Sequence, residues 1–380
     1  MAQITLTARI QLYLDDDQKE LLNSTRKAYT DALNYVSDVV YNTHNLHENG
    51  LSRDMYPTLR ERFGLKSQQS QSVIKRVLAS YKTIQTHEQG WIRPSFKKDQ
   101  YELVWDRDAA FYKGRLISVN TVRKRIKVPY SIKGYERYFN DPRYKLGTAR
   151  LLIRHGKYYL HVPLSYNVEE PDLVKAQTVV GIDRGLRFIV TTYDSDGKCT
   201  FVNGRKVMQK RRGYSRLRQR LQKKHTASAR RRLRAIGSRE GRWVADINHC
   251  ISKRLVESYP AGTLFVLEDL SGIQDATVKV KKKNRYTMCS WSYFDLEQKL
   301  IYKARLKGSI VIKVDPHYTS QRCPICGYTD KGNRDKKNHI FICKNCGYRS
   351  NDDRIGAMNL CCMGTEWLSA QVPGTVAAGV

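Results

Sequence analysis

The chain has 380 residues, 41% of them hydrophobic, and carries 68 Lys and Arg against 36 Asp and Glu, a formal net charge of +32. That length accommodates two or three domains, each with its own core, and so large a positive excess repels itself unless an anionic partner neutralises it. The basic residues are spread along the chain, which favours nucleic acid over a membrane surface; no apolar run is long enough to span a bilayer, and Met1 to Leu14 do not read as a signal peptide.

From Gln3 to Tyr13 the residues alternate, with Ile4, Leu6, Ala8, Ile10 and Leu12 on one face, the pattern of a strand. Asp17 followed by Glu20 resembles a capping box, and Leu22, Ala28, Tyr29, Ala32, Leu33, Val36 and Val40 then recur at helical spacing. A second helical stripe covers Gln71 to Ile84. Strand character returns after Pro94, at Leu116 to Val119, at Lys124 to Val128, and in a hairpin from Arg150 to Val162 turning at His155-Gly156. One β-rich domain interrupted by a helical insertion is the expected organisation.

Glu169-Glu170-Pro171-Asp172 reads as a linker, and beyond it the texture changes. Thr178 to Asp183 is a short apolar strand ending in an acid, followed by strands at Phe188 to Thr192 and Thr200 to Val202. Next comes Arg205 to Arg242, sixteen Lys and Arg with one acid, Glu240, read as helices broken near His225 to Ser228. Trp243 to Val256 reads as a further helix, Thr263 to Glu268 as another strand ending in an acid, Trp291 to Leu306 as a helix and Ser309 to Val314 as a strand. A last helix is expected from Asp353 to about Cys362, with a disordered tail from Gly364.

Between the strand Ser309 to Val314 and this last helix lie two cysteine pairs, Cys323-Pro-Ile-Cys326-Gly and Cys343-Lys-Asn-Cys346-Gly, sixteen residues apart. Four thiolates at this spacing suit a tetrahedral structural Zn²⁺, and each following Gly lets the backbone turn around the metal. The other cysteines, Cys199, Cys250, Cys289, Cys361 and Cys362, are odd in number and irregular in spacing. That argues against a disulfide framework and for a reducing cytoplasm. Asp183 and Glu268 end strands, and Asp353 opens a helix seven residues past the last cysteine of the quartet. Neighbouring parallel strands set such carboxylates side by side, and a helix N-terminus packed there adds a third. Three converging carboxylates repel one another unless a divalent cation neutralises them, and Mg²⁺ (or Mn²⁺) prefers such oxygen ligands. Two such ions about 4 Å apart activate water and stabilise the leaving oxygen of a phosphodiester.

The stretches Gly181-Ile-Asp183-Arg-Gly185, Leu267-Glu268-Asp-Leu270, Thr319-Ser-Gln-Arg-Cys323-Pro-Ile-Cys326-Gly and Cys343 to Leu360 resemble the TnpB family, the insertion-sequence OrfB proteins. Members are RNA-guided DNA endonucleases related to type V CRISPR effectors and to Fanzor proteins. The resemblance is specific over residues 178–360 and one of layout before that. It implies an α/β, RNase H-like (RuvC) nuclease core over 171–320 and 348–363, and a zinc-ribbon target-nucleic-acid-binding insertion over 321–347. It further implies a wedge-type β-barrel over 1–14 and 91–170, carrying a helical recognition insertion over 15–90. It places nuclease roles on Asp183, Glu268 and Asp353 and the zinc role on Cys323, Cys326, Cys343 and Cys346. The family's last motif often reads Asp-x-Asn-Ala; here Ile355 stands at the Asn position, and the spacing to Gly356-Ala-Met-Asn-Leu360 favours Asp353 over Asp352. Arg184, beside the first acid, replaces a residue that is uncharged in many relatives.

Sixteen cations with one counter-charge favour phosphate contact over a merely solvated helical face. The residues expected to make it are Arg211, Arg212, Arg216, Arg218, Arg220, Lys223, Lys224, Arg230, Arg231, Arg232 and Arg234. By resemblance the partners are a transposon-end guide RNA, bound one protein per RNA, and a double-stranded DNA target cut beside a short flanking motif. A guided DNA-binding repressor that does not cut, and an unguided zinc-ribbon DNA-binding protein or transposase, are the alternatives. The three acids argue against the first; a discrete co-purifying RNA would argue against the second. Lys279 to Arg285 reads as a lid loop or a plain loop.

Overall fold

The first strand keeps the expected alternation: in β1 (Ala2–Leu12), Ile4, Ala8, Ile10 and Leu12 are buried while Thr5, Thr7 and Arg9 face solvent. A computed structural model describes residues 2–87, 90–97, 100–169, 178–270 and 293–371. Two compact units divide the chain, one of residues Gln3–Asn167 and the other from Val168 onward with the first two residues.

In the first unit β1 leads into α1 (Asp16–Thr43), α2 (Glu48–Phe63) and α3 (Ser67–Thr86). The capping box at the start of α1 lies two residues before the expected one. Asp15 accepts from the Gln18 amide at 2.8 Å, and Gln18 returns the bond to the Asp15 N–H at 3.3 Å. The sequence pattern gives no counterpart for α2. Its apolar stripe is thin, with only Leu51 and Leu59 buried, and it contains Gly50 and Pro57. Then follow β2 (Glu102–Leu103), β3 (Ala109–Tyr112), β4 (Leu116–Val119), β5 (Ile126–Ser131), the single turn α4 (Glu136–Phe139), β6 (Lys145–Leu146), β7 (Ala149–Arg154) and β8 (Lys157–Val168).

The eight strands form one sheet of order β2-β7-β8-β1-β5-β4-β3, with β6 beside β8. Edge strands β2 and β3 are consecutive in the chain and are tied by an isolated bridge from Trp105 to Ala109, so the sheet is a nearly closed barrel. The β7–β8 hairpin turns on His155 and Gly156, with φ of 51° and 72°, the left-handed pair that a two-residue hairpin loop needs. One continuous core joins barrel and helices, with Tyr29, Tyr81 and Tyr101 fully buried.

The second unit begins with β9 (Val179–Asp183), β10 (Phe188–Asp194), β11 (Cys199–Asn203), α5 (Arg205–Gln222) and α6 (Ala227–Glu257). It continues with β12 (Leu264–Glu268), α7 (Tyr293–Leu306), β13 (Ile310–Val314), the knuckle strands β14 (Arg334–Asp335), β15 (Ile340–Ile342) and β16 (Arg349–Asn351), and α8 (Asp352–Gln371). The sheet order is β11-β10-β9-β12-β13: β9 runs antiparallel to β10 and parallel to β12, which runs parallel to β13. Both faces of this sheet are covered, so its strands read as unbroken apolar runs. Val180, Ile182, Phe265 and Leu267 pack with residues of α6 and α7, whereas Val179, Leu264 and Val266 pack with residues of α8.

Two expectations need correction. The break near His225 to Ser228 is present, but α6 then runs unbroken through Gly237 and Gly241 to Glu257, merging two expected helices. The last helix extends to Gln371 and does not dissolve at Gly364, because Gly364 lies against Val266 and Val179 while Trp367 and Leu368 pack on the same cluster. The expected linker at 170–172, the lid segment Lys279 to Arg285 and the first two residues of the helix expected from Trp291 lie outside the described residues. Among the described residues no helix is long and apolar enough to cross a membrane.

Candidate active site

The acids meet because of how β9, β12 and α8 pack. Leu264 to Leu267 of β12 pair in register with Val179 to Ile182 of β9, so the next step sets Glu268 beside Asp183 where both strands end. The helix reaches them because the backbone leaves room. A Cβ on Gly181 would lie 2.1 Å from the Ala357 carbonyl oxygen and 2.4 Å from the Cys361 amide nitrogen. A Cβ on Gly356 would come 3.2 Å from Asp183 Cγ, and one on Gly364 would come 2.3 Å from Val266 Cγ2. Asp353 stands one turn before Gly356 on this same helix face, and its Oδ1 is 3.9 Å from where a Gly185 Cβ would sit. Asn351 caps the helix, its side-chain oxygen accepting from the Asp353 and Arg354 amides at 3.1 and 3.2 Å.

Asp183 is partly buried, and its pKa stands well above the ordinary carboxylate value: burial is the main cause, followed by Glu268 and Asp353, with Arg334 opposing. Asp353 is raised too, by burial and then by Asp352, against His339, Arg334 and Arg187. Asp353 is 9% exposed, and its Oδ2 is buried without a hydrogen-bond partner. Asp352 is different. It is 1% exposed and committed to Arg334, whose Nε lies 2.9 Å from Oδ2, and to His339, whose Nδ1 lies 3.3 Å from Oδ1. Of the acidic pair, therefore, Asp353 keeps an unused carboxylate oxygen while Asp352 is held by the Arg334 guanidinium, with the His339 ring beside it.

Crowded carboxylates, with Asp183 and Asp353 raised in pKa and one oxygen orphaned, are a donor set that suits a hard divalent cation, so Asp183, Glu268 and Asp353 fit one. Arg184 does not compete for the site. Its side chain is 2% exposed; Nη1 donates to Glu297 Oε2 at 3.0 Å and Nη2 donates to the Glu268 main-chain carbonyl, clamping the end of β12.

The four cysteines of the knuckle converge, their sulfurs all within 4.8 Å of one another. Cys323 and Cys346 are 3.6 Å apart and Cys326 and Cys343 3.5 Å. Four thiolates about 2.3 Å from one tetrahedral ion lie roughly 3.8 Å apart, so the quartet fits Zn²⁺. Both turns have the same plan. Gly327 (φ 74°) donates to the Cys323 carbonyl and Gly347 (φ 71°) to the Cys343 carbonyl; the Cys323 and Cys343 amides donate to Tyr328 and Tyr348. The Tyr328 N–H and the Asn345 side chain favour the thiolate at Cys326, lowering its pKa to about 6.

The basic segment forms the helical pair α5 and α6, joined through Leu217, Leu221, Leu233 and Ile236. Arg212, Arg216, Arg220, Lys223, Lys224, Arg230, Arg231, Arg232 and Arg234 are exposed. Arg211 and Arg218 are not free surface cations, contrary to the sequence-based expectation. Arg211 is 2% exposed, with its Nε 3.9 Å from Glu240, and Arg218 pairs with the same Glu240. The lone acid of the segment holds both and ties the two helices together.

An α/β unit with acids gathered at adjoining strand ends, beside a four-thiolate knuckle, defines the class. A model described as "Probable transposase" (OrfB of IS605) matches residues 161–271, and one described as "Cas12f1-like, TNB domain" matches residues 293–360. The CRISPR-associated endodeoxyribonuclease Cas12f1 of Syntrophomonas palmitatica is 32% identical over 210 residues, 51% of this chain and 40% of that protein. A TnpB-like protein of Methanocaldococcus jannaschii is 26% identical over 261 residues, 66% of this chain and 91% of that one. The chain is thus similar to TnpB-like proteins and to Cas12f1 over the part that carries the acids and the knuckle. It spans well under two thirds of the Cas12f1 proteins it matches, 40% and 59% of their lengths. The fold is shared with a Cas12f1 protein solved with single-guide RNA and target DNA, at a TM-score of 0.65 and 13% identity over 95% of this chain and 98% of that one.

Sequence reasoning assigned no contact to Thr319, Arg334 or Asn359, which hold the acids and the knuckle entry, and set His339 aside because four cysteines already fill a zinc shell. Thr319 lies inside the motif that carried the resemblance, but nothing in its spacing indicates a contact with Glu268, 51 residues away.

Proposed function

We propose that this chain is an RNA-guided, divalent-metal-dependent DNA endonuclease with a RuvC-type, RNase H-like core. The observation that carries this reading is the meeting of Asp183, Glu268 and Asp353 at one edge of the sheet, with the Asp353 Oδ2 unpartnered. The sheet order, with one antiparallel strand beside a parallel set, supports an RNase H-like core. A pair of Mg²⁺ or Mn²⁺ ions bound there would supply an activated water and stabilisation of the leaving oxygen of a phosphodiester. Asp183, Glu268 and Asp353 would hold the ions, and the β9–β12 register fixes the backbone positions of the first two. The Gly181–Ala357 approach sets how far Asp353 stands from both.

The remaining parts follow from charge and relatedness. The exposed cations along α5, α6 and the turn between them suit a nucleic-acid backbone, and the Cas12f1 relatives support a guide RNA as partner and DNA as target. In this reading RNA pairing selects the sequence, and the protein reads duplex shape and a short flanking motif. The barrel with its helical insertion takes the wedge and recognition roles, and the knuckle takes the target-strand role of a zinc ribbon.

The test supplies purified protein with an RNA whose guide segment is exchanged, and two plasmids that each match one guide. Cleavage should follow the guide, require Mg²⁺ or Mn²⁺, and disappear in Asp183→Ala while guided binding persists. Cutting that ignores the guide, or full cutting by Asp183→Ala, defeats the proposal.

A further inference from the structure

We infer that Thr319 is a positioning residue for Glu268, and that Asn359 locks it to the knuckle, so that the four-thiolate cluster and the carboxylate centre are linked through one short segment. The inference rests on the carboxylate centre proposed above.

Thr319 lies between β13 and the first cysteine of the knuckle and is 4% exposed. Its hydroxyl donates to Glu268 Oε1, with the Pro316 carbonyl 3.0 Å away as the competing acceptor. A hydroxyl has one proton, and the Glu268 oxygen is the nearer of the two acceptors, so the bond to Glu268 prevails. Glu268 is the last residue of β12, where pairing with Val314 fixes its backbone but not the rotamer of its carboxylate, so the Thr319 hydroxyl supplies an orientation that the sheet does not.

The position of Thr319 is itself fixed from α8. Asn359 is 5% exposed, and its amide nitrogen donates to the Thr319 carbonyl at 2.6 Å and to the Arg322 carbonyl at 2.9 Å. Both amide protons are therefore spent on the four-residue segment that enters the knuckle at Cys323. Other ties hold the same segment: Arg334 Nη1 donates to Ser320 Oγ at 3.0 Å while its Nε pairs with Asp352 at 2.9 Å, and Asn333 donates to the Gln321 carbonyl at 3.0 Å. Arg334 and Asn333 belong to the knuckle, Asp352 and Asn359 to the helix that carries Asp353. A knuckle that loses its ion loses the anchor for Cys323, and the displacement passes through Arg322 and Thr319 to Glu268.

Groups that orient a metal ligand from behind typically govern about 10- to 100-fold in affinity. The test measures Mn²⁺ binding to protein alone by calorimetry, together with zinc content and thermal stability. Thr319→Val keeps the shape and removes the proton, and should weaken Mn²⁺ about tenfold with zinc content unchanged. Thr319→Ser should restore binding to within about twofold of the parent. Asn359→Asp, which loses one amide donor pair but keeps the volume, should weaken Mn²⁺ in the same direction. Cys343→Ser, which depletes zinc, should weaken Mn²⁺ in the parent and add markedly less in a Thr319→Val background. Asp183→Asn separates the two readings. If it binds Mn²⁺ like the parent, the carboxylate centre is misassigned. If it loses Mn²⁺ while Thr319→Val binds normally, or if Thr319→Ser is as weak as Thr319→Val, the positioning role is overturned.

Discussion

Gly181→Ala is the smallest change that should separate the acids without touching any of them. The added methyl carbon would lie 2.1 Å from the Ala357 carbonyl oxygen and 2.4 Å from the Cys361 amide nitrogen, both backbone atoms that cannot rotate away. Restoring van der Waals separation needs a retreat of α8 from β9 by about 1 Å. Overpacking of this kind costs about 1–3 kcal/mol, or roughly 2–4 °C in Tm per kcal/mol for a unit of this size. The functional loss should be larger than the stability loss. Asp353 rides on α8 and Asp183 ends β9, so the helix retreat opens the gap between two ligands, and a misplacement of about 1 Å costs on the order of 100-fold in rate. The assay pairs cleavage rate at saturating RNA with Mn²⁺ calorimetry and a melting curve. Gly237→Ala, at an α6 glycine with no atom within 4 Å of the added carbon, is the control; it should gain about 0.5–1 kcal/mol and leave Mn²⁺ binding unaltered. Gly181→Ala protein with parental Mn²⁺ affinity and rate would refute the argument that this close approach sets the site.

Three further outcomes follow from the same geometry. Elemental analysis should find one zinc per chain, lost in Cys343→Ser together with the cooperative melting of the knuckle, since thiolate ligation stabilises so small an element outright. Asp353→Ala should abolish Mn²⁺ binding with little loss of stability, whereas Asp352→Ala should cost on the order of 3 kcal/mol in denaturant melts, because it strips Arg334 and His339 of their buried partner; equal effects of the two on Mn²⁺ would undo the distinction. In metal-free protein, folded Asp183 holds its proton to higher pH than the unfolded chain does, so it binds more protons folded than unfolded. Its contribution to stability therefore falls as pH rises from the ordinary value of 3.8 through the raised one, and Asp353 acts with the same sign. Added Mg²⁺ should thus raise Tm more at pH 7.5 than near pH 5, and the difference should shrink in Asp183→Asn; an equal rise at both values would contradict the crowding of the carboxylates.

What the sequence disclosed and what it hid divide along a physical line. The cysteine quartet is legible because metal ligation fixes local spacing, and Asp183 and Glu268 are legible because a buried parallel strand is an apolar run whose first polar residue marks its end. The choice between Asp352 and Asp353 rests on motif spacing; the fold adds a reason, since Arg334 of the knuckle occupies one carboxylate and leaves the other with an unpartnered oxygen. Contacts at long sequence separation leave no periodic trace, which is why the roles of Thr319 and Asn359 are invisible in the chain alone. The basic segment is the instructive case. Charge density alone treats sixteen cations alike, yet a helix has an inside, and the sole acid, Glu240, needs partners there. Arg211 and Arg218, seven residues apart and so on one face of α5, are those partners. A lone counter-charge in a run of one sign is thus a burial signal, and it divides the segment in two: the residues facing Glu240 hold the hairpin together, and the rest are left for an anionic ligand.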